Sequence, residues 1–501
     1  MIITNLGRVN PFSVLFFPLS YKTLICVLIC INGIKLNIHS QSFKELEDLL
    51  RDEIISGASI SIKVSRCRDG ETIFSYNEKA QLIPASVQKL LVNYAAMELL
   101  GPAKTFKTFF YLEGKLNDQG YFDGNFIVDP NLNPVFGSNV FRESKPSSIF
   151  QILSKKFAEA GISKFSGFVI PFLRRGDPYR LPEDWYIEDL AHEYGAWPGV
   201  FNYKDNLSEI SVFWEDNNFV AYYENSIYFP SWLNFNVEIV KRPTNAKVSK
   251  SLSFRGGQLV WDVTARLQES ENIKLFILNP QPYISFYNDF IYNLDLISLI
   301  DGDRMLDLSF EYDPKWLSSV PLFVWESPTL FRIDSVINHR SDNFLAEMLF
   351  LNLFPEEHNY KGKLKALSDF WLGRIGDKID FNDASGLSRS NLISSDCMVR
   401  CLNYIFRSPY FYEFYHTLPL WGISGTLKNL ARPKDITYGR IRAKSGSMTG
   451  VQCYAGYLNT TQNDFFCFSI MVNNFNVDNK NTDIQNWVNK TLSTIIKNIN
   501  Q

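Results

Sequence analysis

The placement of strand-like segments constrains this fold most: they lie near both ends of the chain, with most of the sequence between them. Near the start, "ASISIKVSRC" alternates into a strand, "RDG" supplies a turn and "ETIFSYN" returns, which predicts a hairpin. The last hundred residues carry three more strand candidates, "GRIRAKSG", "VQCYAGYLNTT" and "DFFCFSIMVNNF", and a closing helix, "DIQNWVNKTLSTIIKNI". Together they predict one antiparallel sheet, with helices from both chain ends on its faces and the chain ends brought together around a long insertion. Helical stripes support this. "FKELEDLLRDEII" is apolar at Phe43, Leu46, Leu49, Leu50 and Ile54. "PASVQKLLVNYAAMELLGP" opens a second helix, stopped by Gly101 and Pro102. "DSVINHRSDNFLAEMLFLNLF" is a third amphipathic run, starting near Asp334, and Ser327 before Pro328 is a cap candidate for a separate short helix.

From about Phe106 to Pro314 the texture changes to short aromatic-rich runs between Asn, Asp, Gly and Pro turns, with one helical stretch, "SSIFQILSKKFAEAG". The expected division is an N-terminal segment (1–41), an α/β domain built from 42–105 and 315–501, and an inserted β-rich region of one or two domains (106–314). With 46% apolar and 21% charged residues in 501, the chain is globular and long enough for a large core. Its net charge of −3 is spread without a basic stripe, which excludes a nucleic-acid surface and a polybasic membrane anchor.

The segment "YKTLICVLICINGIKLNIHSQS" places Lys22 before a run of about ten apolar residues and small polar residues near Ser40 and Ser42, the pattern of a secretory signal. An uncleaved anchor and a misassigned start are the alternatives, so any membrane association is expected through this segment alone. The localisation expected is periplasmic or otherwise extracytoplasmic. Cys67, Cys397, Cys401, Cys453 and Cys467 show no CxxC and no metal spacing, and read as buried free thiols.

Three short motifs carry the chemistry. Ser86 and Lys89 are three apart at a helix start, so they are neighbours on one face. A neutral amine there can take the hydroxyl proton and make a nucleophile. Ser341-Asp342-Asn343 lies where a loop meets a helix, offering a hydroxyl for proton relay and an amide to hold a peptide group. Lys444-Ser445-Gly446-Ser447 lies on a strand: the lysine adds positive potential, Ser445 a hydroxyl for a carboxylate, and Gly446 room for a close substrate backbone. Taken alone, each has a structural reading: a helix-start serine with a snorkelling lysine, a helix cap, and an edge-strand lysine. His192, His339, His358 and His416 form no HExxH or HxH pattern, and there is no GxSxG elbow. No metal or cofactor is expected.

In this order the motifs resemble the Ser-x-x-Lys, Ser-Asp-Asn and Lys-Thr-Gly signature of β-lactamases and penicillin-binding proteins. Ser86 and Ser341 are 255 residues apart, too far for a simple two-lobed β-lactamase. The chain more closely resembles the class C low-molecular-mass penicillin-binding proteins, the D-alanyl-D-alanine carboxypeptidase/endopeptidase family, in which extra domains stand between the first two motifs. "FNDASGLSRSNLISS", "LPLWGISGTLKN" and "MVNN" are similar to further segments of that family; within the insertion, "VDPNLNPVFGS" is only loosely so. The resemblance implies an α/β transpeptidase-like domain with a central antiparallel sheet, helices on both faces and a β-rich interruption. It implies an exported serine peptidase acting on peptidoglycan stem peptides and acylated by β-lactams. Ser86 would be the nucleophile, Lys89 the base and Ser341 the proton donor to the leaving amine. Asn343 would hold the substrate amide, and Lys444 and Ser445 would recognise the terminal carboxylate. Lys444 would also keep Lys89 neutral by like-charge repulsion. The backbone N–H groups of Ser86 and Ser447 would form the oxyanion hole.

Two departures stand out. Lys-Ser-Gly-Ser replaces Lys-Thr-Gly-Thr, which keeps the hydroxyls. Ala384 stands where the family has glycine, so the loop is expected to sit differently. An esterase using the same Ser/Lys pair, and a catalytically idle wall-binding protein, are the competing functions. The sequence does not separate carboxypeptidase from endopeptidase action.

Overall fold

The strand that begins the first hairpin finds its partner at the other end of the sequence. In the computed structural model, Ser59–Arg66 pairs antiparallel with Phe465–Asn473, with Ile62 opposite Ile470 and Val64 opposite Phe468. Thr72–Tyr76 extends the sheet on one side, and Val451–Asn459 and then Ile441–Met448 on the other. All pairings in this five-stranded sheet are antiparallel. The structure describes residues 44–172, 181–199, 201–224, 226, 228–241, 247–295, 307–308, 315, 319–460, 464–476 and 481–500. The N-terminal apolar segment read as a signal, and Phe43 of the first stripe, lie outside them.

Strand alternation sends Ile60, Ile62 and Val64 to one face, where they join Phe468, Ile470 and Val472 against Trp487, Val488 and Leu492 of the closing helix Asn481–Ile499. Cys453, Tyr457, Cys467 and Met471 turn to the other face and pack with the core that includes Cys397, Met398 and Cys401 of the Ser395–Phe406 helix. Because both faces are covered, Val451–Leu458 is buried throughout and reads as a nearly continuous apolar run. The five described cysteines are buried free thiols, as expected.

The insertion is mainly β. One sheet runs, in spatial order, Asp307–Leu308, Lys164–Pro171, Tyr121–Asp129, Lys107–Leu116, Phe323–Glu326. Two three-stranded sheets follow, one around Gln258–Leu267 and one around Leu207–Glu215. The helix expected near Ser147 spans Pro146–Glu159. Phe126 and Phe290 stack at 4.6 Å in the aromatic core beneath it. Phe323–Glu326 pairs with Lys107–Leu116, so the insertion's sheet is closed by a strand from beyond residue 315. We therefore propose that the chain returns to the catalytic half after Glu326, not at 315.

Two local expectations are corrected. The run assigned to one amphipathic pattern from Asp334 is two helices, Leu330–Arg340 and Asn343–Leu351, broken where Ser341 adopts φ 61°. Asp342 caps the second helix, accepting from Leu345 N at 2.9 Å. Ser327 caps nothing: its Oγ accepts from Phe106 N at 2.9 Å, and Thr329 is the cap residue.

The closing helix is tied back to the beginning of the chain by Trp487, whose buried indole donates to Leu49 O at 2.8 Å. Trp487→Ala is expected to cost roughly 3–5 kcal/mol, the usual range for deleting a buried tryptophan. Trp487→Phe, which loses mainly the hydrogen bond, should cost about 1 kcal/mol. Chemical denaturation of the purified variants measures both.

Candidate active site

The first motif sits on a bend tighter than the expected helix start. Ala85–Gln88 is a 3-10 turn, and the α-helix begins only at Lys89, running to Leu100. Ala85 is held at φ 48°. Two glycines make room for this bend. A Cβ on Gly446 would lie 2.8 Å from both Pro84 O and Ser86 N, and one on Gly386 would lie 2.2 Å from Ala85 O. The missing side chain of Gly446 thus makes room for the backbone of the 84–86 turn. Asn473, in the "MVNN" segment, fixes the turn from below: its Oδ1 accepts from Ile83 N at 2.8 Å and its Nδ2 donates to Ile83 O at 3.2 Å.

All three motifs converge, in two hydrogen-bonded groups. In the first, the fully buried Lys89 Nζ lies 2.8 Å from Ser86 Oγ, 2.6 Å from Asn343 Oδ1 and 2.6 Å from Ser385 O. As an ammonium it has three acceptors. As a neutral amine it can donate to Asn343 and Ser385 and turn its lone pair to the Ser86 hydroxyl, so the geometry serves both charge states. In the second group, Lys444 Nζ donates to Ser341 Oγ at 2.8 Å and to Ser445 O at 2.6 Å. Ser445 Oγ meets Thr426 Oγ1 at 2.6 Å.

Strand alternation decides what the rest of the third motif offers. Ile441–Met448 is the sheet's edge strand, and Ala443 N and Ile441 O bond away from it, to Pro419 O and Trp421 N. The odd-numbered residues thus point their backbone groups outward, which puts the N–H of Ser445 and of Ser447 on the open edge. Ser447 is exposed and Ser86 half-buried.

Burial pushes the Lys89 ammonium down to about 8, against the opposing pull of the Asp383, Glu347 and Asp342 carboxylates. Burial, joined by the like charge of Lys89, holds Lys444 well below the ordinary lysine range. Like-charge repulsion between the two amines is mutual, so each disfavours the charge on the other. Asp383, Glu347 and Asp342 oppose this lowering at Lys89, and among the described residues no carboxylate opposes it at Lys444.

Several positioning residues carry no motif signal. Asp383 is fully buried, and its carboxylate accepts from Gly386 N (2.8 Å), Asn391 Nδ2 (2.8 Å), Gln88 Nε2 (3.2 Å), Ser388 N (2.7 Å), Ser385 Oγ (3.1 Å) and Trp185 Nε1 (2.9 Å). Glu347, pushed up to about 7 chiefly by burial, accepts from Ala384 N and Ser385 N and from the Tyr360 hydroxyl. Ala384 keeps a negative φ; the left-handed position falls on Gly386, so alanine is accommodated without strain. From the insertion, Tyr194 O accepts from Asn343 Nδ2 at 2.8 Å. The "FNDASGLSRSN" segment pointed to Asp383. Nothing local pointed to Trp185, Tyr194 or Glu347, whose partners lie far away in sequence. A cleft of about 580 Å³ opens beside Ser341–Phe344, walled by Glu193, Tyr194 and Asp205 of the insertion; Ser86, Lys89 and Lys444 do not line it. Among the described residues no group of three or more His, Cys, Asp or Glu is arranged to hold a metal ion.

The model of the D-Ala-D-Ala carboxypeptidase 3 (S13) family matches residues 42–228 and 311–494. A D-alanyl-D-alanine carboxypeptidase of Actinomadura sp. (strain R39) is 24% identical over 464 residues, covering 86% of this chain and 80% of the relative. The D-alanyl-D-alanine carboxypeptidase DacB of Haemophilus influenzae is 23% identical over 450 residues, covering 85% and 88%. The crystal structure of penicillin binding protein 4 from Haemophilus influenzae superposes with a TM-score of 0.70 at 19% identity, over 91% of this chain and 98% of that one. The same protein complexed with a β-lactam gives 0.65 at 18% identity, over 89% and 98%. The chain has this penicillin-binding-protein fold.

The protonation of Lys89 predicts a pH dependence. The amine must be neutral to take the Ser86 proton, so the reactive fraction grows with pH and saturates above the Lys89 midpoint near 8. Acylation of Ser86 should rise about tenfold per pH unit below neutrality and level off above about pH 8.5. A rate that stays flat across this range in a stopped-flow acylation assay would exclude Lys89 as the base.

Proposed function

Because the chain belongs to the D-Ala-D-Ala carboxypeptidase 3 (S13) family of serine-type peptidases, we propose that it cleaves the D-alanyl-D-alanine end of peptidoglycan stem peptides through an acyl-enzyme on Ser86. The observation that carries this reading is the Lys89 amine, buried and 2.8 Å from Ser86 Oγ, with its two remaining hydrogen bonds anchored on Asn343 and Ser385. In this reading, neutral Lys89 takes the hydroxyl proton as Ser86 Oγ attacks the penultimate D-alanine carbonyl. The developing oxyanion is met by the Ser86 and Ser447 N–H groups, each worth about 3 kcal/mol in such sites. Asn343 holds the substrate amide. Ser341, backed by Lys444 at 2.8 Å, passes a proton to the leaving amine. The terminal carboxylate lies against Lys444 and Ser445. It supplies the negative charge that the free site lacks beside Lys444, and so favours protonation of that lysine on binding. Water then hydrolyses the acyl-enzyme. Cleavage of cross-linked stems, an endopeptidase reaction, uses the same steps with a longer leaving group. We place the enzyme outside the cytoplasm, on the reading of its N-terminal segment as an export signal.

A penicillin presents a strained amide and a carboxylate in the positions of the substrate's, so it should acylate Ser86 and remain attached for minutes or longer. Intact-mass spectrometry after benzylpenicillin treatment should show one adduct on the wild type and none on Ser86→Ala. Lys444→Ala should weaken labelling without removing it. Ser341→Ala should slow acylation by roughly 10²–10⁴-fold, the range of a general acid–base contribution. D-Alanine release from defined muropeptides tests the peptidase step directly. An adduct on the Ser86→Ala protein, or none on the wild type at millimolar drug, would replace this reading with the esterase or the idle wall-binding protein.

A further inference from the structure

Two loops meet behind the nucleophile. One, Asp383–Asn391, gives the Ser385 carbonyl that holds Lys89 Nζ at 2.6 Å. The other belongs to the insertion and carries Trp185, buried and 198 residues away in sequence, whose indole N–H donates to Asp383 Oδ2 at 2.9 Å. On that oxygen Trp185 joins Ser388 N and Ser385 Oγ, both from the loop itself, and so is the donor that reaches it from outside. The segment after Trp185 spans the site. Tyr186 lies under the Arg389 guanidinium at 5.7 Å, and Tyr194 O takes the Asn343 amide. The inserted region is thus bonded to the supports of the base as well as to the second motif.

We propose that Trp185 is a positioning residue through which the inserted region fixes the Asp383 carboxylate and, with it, the place and protonation of Lys89. This rests on the reading of Lys89 as the base. The groups facing Lys89 are the Asp383, Glu347 and Asp342 carboxylates and the Lys444 amine, and Asp383 exerts the largest attraction among the carboxylates. Hydrogen-bond donors spread a carboxylate's charge and blunt its field. Removing the indole donor leaves that charge less compensated, so Lys89 holds its proton to higher pH. Removing the charge itself acts in the opposite direction.

The test uses three variants of the full-length protein. W185F keeps an aromatic ring and loses the donor. W185H loses bulk but keeps an N–H in the same place, because Nε2 of histidine and Nε1 of tryptophan occupy equivalent positions of their five-membered rings. D383N removes the charge. Lys89 is titrated directly by NMR of protein labelled at lysine ¹³Cε, assigned with K89R, and the pH limb of penicillin acylation is measured in parallel. W185F should raise the Lys89 midpoint by about 0.5 pH unit, W185H should leave it at or below the wild-type value, and D383N should lower it. Thermal unfolding of each variant reports any loss of fold. A purely structural role predicts that W185H, the greater loss of volume, is the more perturbed, with both midpoints unmoved. That result, or W185F and D383N shifting the same way, overturns the inference. The NMR titration needs no turnover, so a wild type that penicillin fails to label would defeat the proposed function while leaving this test intact.

Discussion

The buried carboxylate of Asp383 is the interaction on which the rest of the site depends. A fully buried charge is tolerable only where donors replace the water it has lost, and six converge on it here. Those donors come from three parts of the chain: Gln88 beside the base, the 385–391 loop, and Trp185 in the insertion. Satisfying one carboxylate therefore ties the 85–88 turn, the 385–391 loop and the inserted region into a single arrangement. Among the carboxylates facing Lys89, Asp383 most strongly opposes the lowering caused by burial.

Around that anchor the two lysines divide the work. Both are fully buried, and burial lowers both; among the described residues, carboxylates oppose this at Lys89 and not at Lys444. An amine with a midpoint near 8 is partly neutral in a neutral medium, which suits the role of base proposed for Lys89. Lys444 is held on Ser341, and among the described residues no carboxylate acts on it, which fits the proposed recognition of a substrate carboxylate. The local strain agrees with this arrangement. Ala85 at φ 48° and Ser341 at φ 61° aim Ser86 and Ser341 into the same region, and the bend at Ala85 needs the missing side chains of Gly446 and Gly386.

Much of this was legible beforehand. The strand candidates at both chain ends form one sheet; alternation marks Ser59–Arg66, whereas Val451–Leu458, covered on both faces, is a nearly continuous apolar run. The Ser86–Lys89 contact follows from a spacing of three residues in any helical turn. The helix break at Ser341 was less visible, since the apolar periodicity continues through it and only the "SDN" sequence marks it. Ser327 looked like a cap by residue type alone, but its hydroxyl is taken by Phe106 N, a partner that local sequence cannot reveal. The family resemblance pointed to the "DASGLSRSN" segment without assigning Asp383 any task.

The sequence by itself determined the residue types of the chemistry, their order, the periodicities that make the central sheet and its helices, and the β-rich character of the insertion. These are local properties, carried by neighbours a few residues apart. Only the tertiary structure decided that carboxylates gather around Lys89, because that depends on distances to groups contributed by two other segments. It also decided that Gly446 makes room for the turn at Ala85, and that Trp185 reaches Asp383 across 198 residues. Electrostatic fields and steric fit act through space, and a linear chain does not record which of its distant parts will be brought within 3 Å of one another.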